Sequence, residues 1–161
     1  MPVHAACGSE KGIIWMPDIG YDQAGNHGGL NASHKQYGKY QLKTPMITVD
    51  SLIQEAVHLI KIDVEGMEKE VLLGAIETIA LYKPILYVEN DRQAKSQELI
   101  ETLWSFGYAC QWHMPMLFNP DNFAKNPVNI WPDVASFNMV CCPKEQQRLE
   151  KPITDSKAFP V

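Results

Sequence analysis

Two carboxylates, Asp63 and Glu65, stand one residue apart at the end of a short branched apolar run made by Leu59, Ile60, Ile62 and Val64. The composition of residues 59–64 is that of a strand buried on both faces. If the strand persists that far, alternation sends both acids to the same side of the pleat. Gly66 then lets the chain turn, and Glu68 opens a segment of helical pattern. Open α/β sheets take ligands just outside the carboxyl ends of their strands, so acids there are candidates for orienting a substrate or moving a proton. The structural alternative is that Asp63 and Glu65 cap the next helix and favour its positive end. Spacing alone weighs the two readings evenly. Residues 85–88 repeat the arrangement, an apolar run ending in Glu89, Asn90 and Asp91. A right-handed strand–helix–strand unit would bring Asp63, Glu65, Glu89 and Asn90 to one rim.

The elements that must position these residues follow from periodicity. A helix is predicted over 67–81, with Leu72, Ala75, Ile76, Ile79 and Ala80 as its apolar stripe. Gly74 inside it costs about 1 kcal/mol against Ala, so a close approach of another chain segment is its expected reason. Lys83 and Pro84 stop the helix. A further helix spans 94–106, with Leu99, Ile100, Leu103 and Trp104 inward and Gly107 as the residue after its cap. Strands are expected at 108–113 and 136–142. Between them Met114, Met116, Phe118, Phe123 and Trp131 read as core or loop-anchoring residues. Upstream, a strand ends within 2–6, another spans 11–16, and 41–49 is extended, with Pro45 marking an edge or a strand start. Asp50 and Ser51 are placed to cap a short helix over 52–57. Residues 18–33 read as a Gly/Asn-rich loop, in which Gly28 and Gly29 lack the helix and the Lys-Ser/Thr pair of a phosphate loop; His27 within it and His34 just after it read as solvated.

The chain has 161 residues, 45% hydrophobic and 20% charged, which fits an ordinary domain with a real core. A net charge of -5, with no basic cluster to offset it, argues against a nucleic-acid surface. Neither a long apolar run nor a charged-then-apolar leader is visible, so no membrane span is expected and a cytoplasmic location is. Cys7, Cys110, Cys141 and Cys142 show no metal-binding spacing and read as reduced packing thiols. Residues 1–142 are taken as the domain and 143–161 as a polar, loosely attached tail.

The run KIDVEGMEKEVLLGA at 61–75, followed by Pro84 and an apolar strand ending in Glu89, resembles the FkbM-like methyltransferase family. That family carries a KIDVEG-x-E segment, then VL-x-GA, then Pro and a strand ending in Glu. The resemblance runs over about residues 4 to 142 and is strongest between 45 and 107. It implies an α/β fold with the Rossmann-like sheet of class I methyltransferases and an enzyme dependent on S-adenosylmethionine. Residues 1–58 do not supply a strand, a Gly-rich turn and a helix in that order. Against the family pattern the chain is therefore expected to start near the end of the third strand, with the N-terminal nucleotide-binding strands missing.

For a complete enzyme the implied chemistry is methyl transfer to a hydroxyl of a sugar or a polyketide-like acceptor. Asp63 and Glu65 are the candidate catalytic residues, and Glu89 and Asn90 are the candidates for holding the acceptor. His4, Ala5 and Ala6, on the adenine side, together with Asp63, are the candidates for touching the cofactor. As it stands the chain is expected to bind the cofactor negligibly and to self-associate. Two other classes stay open: a non-catalytic remnant or interaction module, and a phosphoryl-transfer enzyme whose carboxylates hold Mg²⁺.

Overall fold

Short β-branched and apolar stretches, each broken by Gly, Pro or Asn, give short strands rather than long ones. The computed structural model describes residues 2–19, 22, 30–32, 41–52, 55–146 and 148–160. Gly28, Gly29, His27 and His34 lie outside them, as do the middle residues of the helix expected over 52–57. The chain is mixed α/β and divides into two compact units, Met1–Pro84 and Ile85–Val161.

In the first unit β1 (Ala6–Cys7), β2 (Gly12–Pro17) and β3 (Gln41–Ile47) form a sheet in the order β1-β3-β2. β3 is parallel to β1 and antiparallel to β2. The strand expected within 2–6 is thus only two residues long and starts at Ala6. Pro45 lies inside β3, opposite Ile13 and just before β1 joins at Met46. With a partner on one side only, a residue without an N–H fits there. β4 (Leu59–Ile62) ends two residues earlier than the sequence suggests. It also alternates: Ile62 is buried whereas Leu59 is 58% exposed, so it is not covered on both faces along its length.

The helix expected over 67–81 is two helices, α1 (Glu68–Leu73) and α2 (Ile76–Tyr82). The break has a local cause. The Gly74 carbonyl accepts from the Asp50 N–H at 3.0 Å, and the Asp50 carboxylate accepts from Glu77 and Thr78 N–H at 3.1 and 2.8 Å. Asp50 therefore caps α2 from a distant part of the chain. Before the span of the expected helix lies a single 3-10 turn at Val49–Ser51, capped by Thr48. A Cβ on Gly74 would lie 2.0 Å from the Gly8 carbonyl oxygen, which is the close approach that the glycine serves. The buried face is Val71, Leu72, Ala75, Thr78 and Ile79, whereas Ile76 is exposed. Lys83, in the left-handed region at φ 47°, closes α2 with its N–H on the Ile79 carbonyl.

In the second unit β5 (Ile85–Glu89) and β6 (Tyr108–His113) flank β7 (Asn138–Pro143), and both are antiparallel to it. β5 and β6 therefore run in the same direction. α3 (Gln93–Ser105) buries Leu99, Ile100 and Leu103, and Gly107 follows its cap at φ 81°, as expected. Trp104, expected to point inward, is half-buried. Leu86, Val88, Met139, Cys141 and Cys110 form the buried face of this sheet.

The segment after β7 is docked, contrary to the expected loose attachment. The Ile153 N–H donates to the Cys110 carbonyl at 2.7 Å, and Phe159 meets Trp112 edge-on and stacks on Phe137. Several loop residues expected to be anchors are exposed instead: Met114, Met116, Trp131 and, completely, Phe123. Asn side chains turn this loop by accepting from its N–H groups, so it needs no apolar anchor to hold its shape. No helix among the described residues is long and apolar enough to cross a membrane.

Candidate active site

The six residues from Asp63 to Glu68 leave β4 and enter α1 through a turn that the sequence makes strained. Glu65 has φ 53° and Gly66 has φ 96°. Left-handed backbone at a residue with a side chain costs about 1–2 kcal/mol, so something must hold Glu65 there. Glu68 does. It is 5% exposed, and its Oε1 accepts from Gly66 N–H at 2.9 Å and from Val64 N–H at 3.4 Å. The buried carboxylate reaches back like the acidic member of a capping box and gives the donors of the turn a charged acceptor. In the sequence Glu68 reads only as the start of a helix. Its spacing from Gly66 is the local feature that marks this contact.

The turn carries Asp63, Val64 and Glu65 into the wall of a cavity of about 380 Å³. The other described residues around it are Ala5, Ala6 and Cys7 at β1, Met16 on β2, Leu30, Ala32 and Met67. Apart from the two carboxylates and the Cys7 thiol, that wall is apolar. Asp63 is exposed and ion-paired with Lys61, two residues earlier on the same side of the chain. Cys7 is half-buried, and burial pushes its thiol above the ordinary value. Small side chains at Ala5 and Ala6 leave room beside the strand end. His4 is exposed and is not among the residues lining the cavity.

Glu89 and Asn90 belong to the second unit. Glu89 ends β5, half-buried and opposite Asn138 of β7. Asn90 is 3% exposed; its amide donates to Ser96 Oγ at 2.9 Å and to Met139 Sδ at 3.4 Å, while its N–H donates to the Phe137 carbonyl. These bonds tie the end of β5 to α3 and to the start of β7. The structure thus gathers Asp63, Glu65, Ala5 and Ala6 around one cavity and leaves His4 outside it.

A family model described as the methyltransferase FkbM domain matches residues 6–110. This chain belongs to the FkbM methyltransferase family. The match includes β1, the acidic turn after β4, the helix pair and β5, so every described lining residue of the cavity except Ala5 falls within it. The family is one of S-adenosylmethionine-dependent methyltransferases with a Rossmann-like fold, and it implies a small acceptor. Neither the comparison with curated proteins nor that with solved structures returned a match.

Proposed function

We propose that the FkbM domain transfers a methyl group to a hydroxyl oxygen of a sugar or a polyketide-like acceptor. The observation that carries this reading is the cavity beside β1 and β4, with two carboxylates set in an otherwise apolar wall. Such a wall suits the cofactor: apolar surface and the small Ala5 and Ala6 accommodate an aromatic base, and carboxylates favour a cationic sulfonium. S-adenosylmethionine, when bound, supplies an electrophilic methyl group. Asp63 and Glu65 then hold the sulfonium side or orient the hydroxyl, and the apolar wall limits water around the reacting atoms. His4 is assigned to the adenine edge only as an outer neighbour of Ala5. Glu89 and Asn90 are assigned to the acceptor, Glu89 through its carboxylate and Asn90 by fixing the end of β5.

The test is a panel of hydroxylated acceptors, simple methyl glycosides and hydroxylated macrolactones, scored by S-adenosylhomocysteine release. Asp63→Ala is expected to lower turnover by about a hundredfold or more. Its cost to stability is expected to stay below about 1 kcal/mol, because an exposed ion pair contributes little. Against the expectation of negligible cofactor binding by this chain, the proposal requires that millimolar S-adenosylmethionine slow maleimide labelling of Cys7. Unchanged labelling together with an inert panel would sink the proposal.

A further inference from the structure

The second unit holds a cavity of its own, of about 370 Å³, where the chain leaves β7. Ala109 of β6 and Cys142 of β7 line it, and they are directly opposed, so they share a face of the sheet. Both side chains are small, which leaves a hollow on that face. From Pro143 the chain passes through a single 3-10 turn at Lys144–Gln146, with the Lys144 N–H on the Gly107 carbonyl at 2.9 Å. It then returns to β6. The Lys151 N–H donates to Gln111 Oε1 and the Ile153 N–H to the Cys110 carbonyl, each at 2.7 Å. Pro152 lies between those two anchors and, with Leu149, completes the apolar lining. The hollow is thus bounded by a sheet and by a segment tied down at both ends, so it stands ready formed.

Two cations also line this cavity, Lys144 and Arg148. Glu145 and Glu150, which neighbour them in the sequence, do not. Among the described residues neither cation has an ion-pair partner. Burial pushes the Cys142 thiol up, and the Arg148 guanidinium is near enough for its charge to oppose that push. In a chain of net charge -5, one hollow therefore gathers positive charge and apolar surface without an acid.

We propose that this cavity binds a phosphate monoester with a small apolar body, its phosphate on Lys144 and Arg148. A planar guanidinium meets two phosphate oxygens at once, and an ammonium adds a point charge. Two cations match a dianion, whereas a carboxylate carries one charge only. The cavity is also larger than a free phosphate ion requires, since volumes of roughly 300 Å³ and above suit small organic ligands. Leu149, Pro143 and Pro152 then favour an ester over the bare ion by removing its apolar part from water. No residue of the first unit takes part, so the inference is independent of the methyl-transfer reading.

Phenyl phosphate titrated into the full chain tests this by amide nitrogen-15 NMR near pH 8, above the second phosphate pKa of about 6. The amides of Ala109, Cys142 and Leu149 should shift together and saturate, with a Kd below about 1 mM. Arg148→Gln should raise that Kd by about tenfold or more, and Lys144→Gln by about threefold or more. Both side chains are exposed, so the variants keep the fold, which unchanged amide positions away from the cavity verify. Lys151→Gln, an exposed cation outside the lining, should leave the Kd within about twofold. Shifts that do not saturate, or an Arg148→Gln chain that binds like the parent, would overturn the proposal. Equal weakening by Lys151→Gln would also overturn it, by showing diffuse attraction in place of a site. Inorganic phosphate or benzoate binding as tightly as phenyl phosphate would refute the assignment of a phosphate monoester.

Discussion

At the scale of single residues, the site depends on a side chain that faces away from it. Glu68 is buried and spends its carboxylate on Gly66 and Val64 N–H groups, and the turn it holds is what aims Asp63 and Glu65 at the cavity. Glu68→Ala removes the acceptor of those N–H groups and is expected to cost about 1–3 kcal/mol. Glu68→Gln keeps a carbonyl oxygen able to accept and should cost clearly less. Urea titrations of the two variants compare them. Equal losses would mean that the negative charge, rather than the hydrogen bonds, holds the turn.

At the scale of elements, the helix pair shows one residue overriding a propensity. An Ala at Gly74 would ordinarily gain about 1 kcal/mol within a helix. Here its Cβ would meet the Gly8 carbonyl oxygen at 2.0 Å, backbone against backbone, with no flexible side chain to give way. The sign therefore reverses, and Gly74→Ala should destabilise by about 1–3 kcal/mol. Asp50→Ala removes the cap of α2 and is expected to lose about 0.5–2 kcal/mol. Thermal unfolding of both variants checks the pair; a Gly74→Ala chain that melts higher than the parent would contradict the close approach.

At the scale of the whole molecule, alkaline stability depends on protons held by buried groups, Cys7 in the first unit and Cys141 and Tyr108 in the second. Burial pushes the Cys141 thiol well above its ordinary value of 9.0, and the hydrogen bond that its S–H donates to Cys110 adds to this. Burial likewise raises the Tyr108 phenol above its ordinary 10.0. Both native values are raised, so the folded chain holds these protons more tightly than the unfolded one. The stability they contribute is complete below the ordinary thiol value of 9.0 and is lost as pH rises through the raised native values. Unfolding free energy should therefore be flat from neutral pH to about 9 and then fall. A Cys141→Ala chain, though less stable throughout, should fall less steeply. A parallel decline in both chains would assign the alkaline loss to other groups.

The sequence by itself determined the family, the type of the elements from β4 to β7, and, to within two residues, where the strands end. Those features are written locally: Gly66, Gly107 and Pro84 stop or turn the chain wherever they fall, and apolar periodicity names the inward face. The acids at 63 and 65 could be singled out because their types and spacing survive any packing. Only the tertiary structure decided that Glu68 holds their turn, since a buried carboxylate and an exposed one read alike in a sequence. Tertiary contact also decided that the expected helix breaks at Gly74, because the Asp50 cap comes from a distant part of the chain. The pairing of Tyr87 with His113 arises only when β7 draws β5 and β6 into register, joining residues that are 26 positions apart. Local rules fix where a chain turns; which distant groups then satisfy its polar atoms is settled by how the elements pack.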